Sequence, residues 1–292
     1  MLVGRDLERD NGWMIRVAAL GCLAALLLGA SACGNELDQV ALPDGVVVHI
    51  DQSRVERKGR VLFLRVENNT RRDLTIRKYV LTSPRFATVR WSGMKQVGAT
   101  YEADLQFTMP LGRCGTDIAA MVRLTYRLGA GPAKESTARA DDRYGNAADF
   151  ADRDCARTTL EAAARIVVGE PRVSGAGRAS VLQLPVTMTP SGHRDDVRFA
   201  GFGSTVLFRQ APDSPARVDV PLGPGDPPAA LVMTVVPARC DPHALAEDKV
   251  GRLFPVKVVA DGVGEQASYF LPLSRSQRKA FLDYFRERCG LL

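Results

Sequence analysis

The sequence predicts a mainly β fold: two tandem, related β-sandwich-like domains, each with a short C-terminal helix. Three observations predict it. Apolar and polar residues alternate at strand period in stretch after stretch. Glycine (26) and proline (17) are abundant and aromatics make up only 7%, while 46% of residues are hydrophobic; that balance favours strands and turns over long helices or disorder. Four blocks of the first half also recur, in the same order, in the second half.

The amino-terminal stretch, residues 14–34, reads MIRVAALGCLAALLLGASACG. Arg16 and the amino group of Met14 form a short positive region, and residues 17–30 follow as 14 positions without a charge. That run is too short for a membrane span, which needs roughly 20 apolar residues, and has the length of an export signal's apolar core. Cys22 lies within it as one more apolar residue. Gly29-Ala30-Ser31-Ala32 supplies the small residues a signal peptidase accepts, and Cys33 follows. The stretch resembles the signal and lipobox of bacterial lipoproteins. The resemblance implies diacylglycerol on the Cys33 sulfur, cleavage in front of it, and residence on the outer face of the cell membrane. The family's usual Leu three residues before the cysteine is replaced by Ala30. Ala30-Ser31-Ala32 is also an A-x-A site, whose use would release a secreted chain, and an uncleaved anchor is the third alternative. Residues 1–13 hold Arg5 and Arg9 against Asp6, Glu8 and Asp10, a poor start for a signal, so translation is expected to begin at Met14.

The expected organisation is therefore a signal over 1–32, a tether over 33–41, a first β-rich repeat over 42–157 and a second over 158–292. In the first, Leu62, Leu64 and Val66 alternate with Phe63 and Arg65. Leu105, Phe107 and Met109 alternate with Asp104, Gln106 and Thr108. Val122, Leu124, Tyr126 and Leu128 alternate with Arg123, Thr125 and Arg127. Each stretch has one buried and one wet face, as antiparallel strands do.

The repeat is read from four blocks. Arg54-Val55, then Gly59-Arg60 and VLFLRVENN, is matched by Arg172-Val173, Gly177-Arg178 and VLQLPVTMT. LQFTMPLGRC, ending at Cys114, parallels LVMTVVPARC, ending at Cys240. AMVRLTYRL parallels RLFPVKVVA, and AADFADRDC, ending at Cys155, parallels FLDYFRERC, ending at Cys289. Four cysteines beyond Cys33 allow three pairings, and only Cys114–Cys155 with Cys240–Cys289 keeps one bridge within each copy. Four free thiols are the alternative.

Each copy is expected to end in a helix stapled to its sheet by the cysteine at its end. In the second, Ser274 is the expected N-cap, with Phe281, Leu282, Phe285 and Cys289 on the apolar face. In the first, Asn146 is the expected cap and Phe150 points inward. Six prolines between Pro212 and Pro228 mark a long surface loop. No tryptophan lies between the paired cysteines, so the domains are only loosely immunoglobulin-like.

Chemistry-bearing motifs are sparse. His49 sits in a strand, His193 in the turn Pro190-Ser191-Gly192-His193, and His243 after Cys240-Asp241-Pro242; none has a second histidine at ligand spacing. Ser92-Gly93-Met94-Lys95 matches a Ser-x-x-Lys pattern but lies in an expected turn and lacks its companion Lys-Thr-Gly. Asp141, Asp142, Asp149, Asp152 and Asp154 crowd before Cys155 without the spacing of a calcium loop. No metal and no cofactor is expected. Charge is the remaining signal. The chain carries a net +6, and residues 54–95 alone carry 12 Lys or Arg against Glu56, Glu67 and Asp73. Leu74, Ile76 and Val80 are expected to point inward, leaving Arg77 and Tyr79 on an outer face beside Arg65. Arg65, Arg77 and Lys78 form the candidate basic patch, suited to anionic lipids or wall polymers. Nucleic acid is not an expected partner of an exported chain.

These readings point to a membrane-anchored, non-enzymatic binding or scaffolding module of the cell envelope with an unknown protein partner. The alternatives are an envelope hydrolase with its site in the cleft between the domains, and an electrostatic tether to polyanions.

Overall fold

The computed structural model describes residues 40–53, 59–115, 117–246, 251–265 and 267–291. The expected signal, Cys33, nearly all of the tether, and Arg54-Val55 of the first repeat lie outside them.

Seven strands make the first sandwich: β1 (Val46–Asp51), β2 (Val61–Asn68), β3 (Leu74–Ser83), β4 (Phe86–Val97), β5 (Tyr101–Thr108), β6 (Met121–Leu128) and β7 (Ala133–Arg139). Two antiparallel sheets result, β1-β2-β5 and β4-β3-β6-β7. The alternation read from the sequence is the alternation of burial. Leu62, Leu64 and Val66 of β2 meet Val122, Leu124 and Tyr126 of β6 in one core. Arg123 and Arg127 stay on the wet face.

Strand β3 departs from simple alternation. Against β6 its register shifts between Ile76 and Lys78, which pair with the consecutive Tyr126 and Thr125, so that Arg77 is an extra residue in β3; on the other side Gly93 and Met94 of β4 stand opposite it. One extra residue in a strand inverts the facing of everything beyond it. Tyr79, expected on the outer face with Arg77, is therefore fully buried and stacks on Trp91 at 5.9 Å. Ser92-Gly93-Met94-Lys95, expected as a turn, is part of β4 at this bulge.

Helix α1 (Asn146–Ala163) follows. Asn146 is its first residue and not its cap; the cap position is Gly145, at φ 68°, where the left-handed backbone suits glycine. The capping oxygens come from Asp142, which accepts from the Ala147 and Ala148 amides at 3.2 and 2.8 Å. The boundary expected at 157/158 falls inside this helix. Ala147 and Phe150 pack in the first core, whereas Ala156, Leu160 and Ala163 pack in the second. One rigid element thus serves both sandwiches, and Cys155 sits in its middle rather than at its end.

The second sandwich uses β8 (Ala164–Val168), β9 (Arg172–Ser174), β10 (Val181–Pro190), β11 (Arg198–Phe202), β12 (Phe208–Gln210), β13 (Val220–Pro221), β14 (Ala229–Pro237), β15 (Pro255–Val259) and β16 (Ser268–Phe270), with helices α2 (Pro242–Ala246) and α3 (Arg275–Cys289). Its sheets run β12-β14-β10-β8, with β9 beside β10, and β13-β11-β15-β16. The strand paths correspond: β8, β10 and β14 stand in the order of β1, β2 and β5, and β13, β11, β15 and β16 in the order of β4, β3, β6 and β7. The matched sequence blocks fall on β2 and β10, and on β6 and β15. Prolines 212–228 lie mostly in irregular chain, and Pro221 is in the edge strand β13, where its missing N–H leaves no gap in the ladder.

Helix α3 is capped as expected. The Ser274 hydroxyl accepts from the Gln277 amide at 3.1 Å, and the Gln277 side chain accepts from the Ser274 amide at 2.7 Å. Phe281, Tyr284 and Phe285 are buried. Leu282, expected on that face, is only partly buried, and Tyr284 takes its place, its hydroxyl donating to the Ser180 carbonyl at 2.9 Å. The bridges are Cys114–Cys155 and Cys240–Cys289. Both sandwiches belong to one compact unit, Val40–Leu292. Among the described residues, no helix is long and apolar enough to cross a membrane.

Candidate functional site

Two surfaces merit attention: a cleft between the sandwiches and the outer face of sheet β4-β3-β6-β7. The cleft has a volume of about 900 Å³. One wall is the end of β1 and the start of α1, with Asp51, Tyr144, Asp149, Asp152 and Arg153; the other holds Ser204, Thr205, Pro255 and Phe270. Arg153 joins the walls, its guanidinium lying 4.2 Å from the Phe150 ring centre and 5.2 Å from that of Phe270. Burial pushes that guanidinium below its ordinary value, and cation–π contact with two rings offsets part of the desolvation.

Most polar groups in the cleft are engaged in holding the fold. Asp152 binds Arg85 at 2.8 Å, and Asp51 accepts from Asn146 at 3.3 Å. Thr205 donates to the Gly251 carbonyl at 2.7 Å. Ser204 accepts from the Gln210 amide at 3.2 Å. A hydrolase would need a nucleophile within hydrogen-bond reach of a base. Neither His193 nor His243 lines the cleft. His49 is 2% exposed. Burial, and next the charge of Arg143, hold its pKa below the ordinary value, although Glu67 at 3.5 Å pulls the other way. Burial dominates, because His49 Nδ1 has no hydrogen-bond partner and a buried cation without one is costly. Ser92 and Lys95 lie three apart on an extended strand, where positions i and i+3 alternate in facing, unlike on a helix.

Four of the five aspartates before Cys155 are engaged by arginines or by a helix cap. Asp154 receives both guanidinium nitrogens of Arg60, at 2.9 and 2.7 Å, and the Gly112 amide at 2.7 Å. Gly112 is required there: a Cβ would lie 2.4 Å from Cα of Ala151. Asp142 caps α1, and burial raises its pKa against the three amides that lower it. Asp141 pairs with Arg139 at 3.2 Å. Among the described residues, no three His, Cys, Asp or Glu side chains gather as a metal would require.

The basic patch needs correction. Arg65 is on β2, in the other sheet from Arg77 and Lys78. It is hydrogen-bonded by both oxygens of Asp104 at 2.8 and 2.9 Å, with Glu102 at 3.3 Å and Asp51 at 3.7 Å. The Asp104 hydrogen bonds in particular raise its pKa. Its charge is answered locally by partners 14 to 39 residues away in sequence. Arg77 and Lys78 are both exposed at the bulge. Their neighbours are residues the patch omitted. Cross-strand pairs bring Arg90, Val80 and Arg123 into one row, Lys78 and Thr125 into the next, and Thr75 and Arg127 beyond. Arg90, Arg123 and Arg127 are exposed, and the acid among them is Glu135, 3.7 Å from Arg123. The readable signal was the wet face of VRLTYRL, once β6 is known to pair with β3.

No family model matches the chain, and no curated protein matches it in sequence. Among solved structures, it is similar to red sea bream transglutaminase at 10% identity and a TM-score of 0.23, over 80% of this chain and 32% of that one. It is also similar to CBD12 from CALX1.2 at 12% identity and a TM-score of 0.20, over 71% and 78%. The BSP domain of a biofilm-associated protein gives 9% identity and a TM-score of 0.22, over 81% and 60%. The chain thus spans about a third of the transglutaminase. Likenesses at these scores carry no argument about function, and the β-sandwich assignment rests on the sheets described above.

Proposed function

We propose that the protein is an exported, lipid-anchored binding or scaffolding module of the cell envelope, built by tandem duplication of one disulfide-stapled sandwich. The carrying observation is the pair of bridges, one per sandwich, joining the segment after β5 to α1 and the segment after β14 to α3. Disulfides persist in oxidising compartments, which agrees with an export signal ending at Cys33. The duplication is supported by the correspondence of strand order and sequence blocks. A binding role is supported by the cleft, whose serine, threonine and aspartates hold main-chain and arginine partners. The partner is a protein or polyanion of the envelope.

Intact mass of the chain recovered from its envelope tests the anchor. The expected mature form begins at Cys33 and carries the added mass of acyl chains, lost when lipoprotein processing is inhibited with a globomycin-type compound. A mature chain beginning at unmodified Cys33 would replace the anchored reading with secretion. Crosslinking in the intact envelope, followed by mass spectrometry, should return a recurrent partner; hydrolysis of an envelope ester or amide, abolished by Ser204→Ala, would move the protein to the enzymes.

A further inference from the structure

The outer face of sheet β4-β3-β6-β7 and the point where the chain enters the fold lie on the same sheet. The Thr137 amide of β7 donates to the Val40 carbonyl at 3.2 Å, and the Ser136 hydroxyl to the Ala41 carbonyl at 3.0 Å. The incoming segment therefore runs along the free edge of this sheet, since β7 is its last strand. Six residues separate Cys33 from Val40, and seven steps of no more than about 3.5 Å limit the reach of the chain between them to about 25 Å.

The face so placed is cationic. Lys78, Arg90, Arg123 and Arg127 project from it with Arg77 at the bulge, against Glu135. Val80 lies between Arg90 and Arg123 and is only 5% exposed, as expected where long arginine stems cover an apolar neighbour and lift their charges outward. Three arginines off this face are answered by acids: Arg60 by Asp154, Arg85 by Asp152, Arg65 by Asp104. On this face the exposed cations outnumber Glu135 and are open to an outside partner.

Resting on the anchored reading above, we propose that this face lies against the anionic headgroups of the membrane that holds Cys33. The tether length restricts the face to the neighbourhood of that surface, and charge complementarity orients it. Attraction of this kind fades beyond a Debye length, about 8 Å at physiological salt, so the contact is close and salt-sensitive.

The test uses the full exported chain, recovered from the envelope and reconstituted in vesicles of phosphatidylcholine with or without 30% phosphatidylglycerol. A membrane-impermeant amine reagent labels Lys78, with Lys279 on α3, 73% exposed, as the internal reference. Lys78 labelling relative to Lys279 should slow at least fivefold on the anionic vesicles, and the difference should vanish at about 0.5 M salt, where screening is nearly complete. The variant Arg90→Gln with Arg127→Gln, exposed positions both, should lose most of that protection. Equal labelling on the two vesicles with the chain retained on both overturns this inference and leaves the anchor intact. If Cys33 is unacylated, retention on neutral vesicles disappears while Lys78 protection on anionic ones remains. Protection by soluble polyphosphate but not by vesicles would overturn the membrane assignment in favour of a wall polymer.

Discussion

The first sandwich holds its helix with charge. Arg60 reaches from the start of β2 to Asp154 on α1, and Arg85, only 3% exposed, reaches Asp152 on the same helix. The second holds its helix with rings. Phe208 of β12 contacts Phe254, Phe281, Tyr284 and Phe285 at centroid distances of 5.6 to 6.5 Å, and Phe254 meets Phe281 at 4.8 Å. One strand path therefore tolerates two kinds of interior bond. Each demands something different of mutation, since an aromatic contact degrades with lost volume whereas an ion pair fails when one partner leaves.

The largest effect is expected in the aromatic half. Phe208→Ala should lower stability by about 4 kcal/mol in chemical denaturation, because a fully buried ring leaves a cavity among four others. The charged half should respond less: Asp154→Ala should cost about 2 kcal/mol, removing the acceptor of the Gly112 amide and of two Arg60 hydrogen bonds while Arg60 keeps the Met109 and Pro110 carbonyls. Its discriminating control is the double change with Arg60→Met, which should recover part of the loss; an unchanged loss would mean that packing rather than charge holds α1. A smaller effect of opposite sign is expected from two tyrosines, one in each sandwich. The hydroxyls of Tyr79 and Tyr269 are buried without partners, and burial pushes Tyr79 up to about 12. Tyr79→Phe and Tyr269→Phe should each stabilise the fold by up to about 1 kcal/mol, by removing an unsatisfied donor. The smallest concerns pH. His49 has a folded pKa below its unfolded 6.5, so the unfolded chain binds more protons just below that value and stability falls as pH drops under 6.5. Above 6.5 the group makes no difference. A denaturation series from pH 7.5 to 5.0 should show this slope in the parent and a shallower one in His49→Gln.

What could be read from the sequence was whatever depends on neighbours along the chain. Alternation placed β2, β5 and β6, and Ser274 announced the start of α3. The cysteine pairing followed from the expected repeat and agrees with the bridges. What could not be read depends on the strand next door. Tyr79 changes face because Arg77 stands unpaired between the positions opposite Tyr126 and Thr125 of β6, and nothing between residues 74 and 83 signals it. Arg65 belongs to Asp104 through cross-strand register, so counting charges in a window overstated the patch near it and missed Arg123 and Arg127. The Ala- and Thr-rich end of α1 drew the expected boundary at 157/158 because most of its apolar side chains are small. They suffice because two sheets close over them. In the cleft, Asp152 could be noticed but its commitment to Arg85 could not.

The two bridges also bear on how the chain answers a pull. They close segments with sequence separations of 41 and 49 residues. Stretched from its ends, the chain withholds about 90 residues behind covalent bonds, on the order of 300 Å of extension at ~3.5 Å each. The first segment includes β6, β7 and the start of α1, and the second includes β15, β16 and α3. A protein tethered at one end and gripped at the other would give up little slack in its oxidised state. Reduction would release that length even if the resting fold were unchanged.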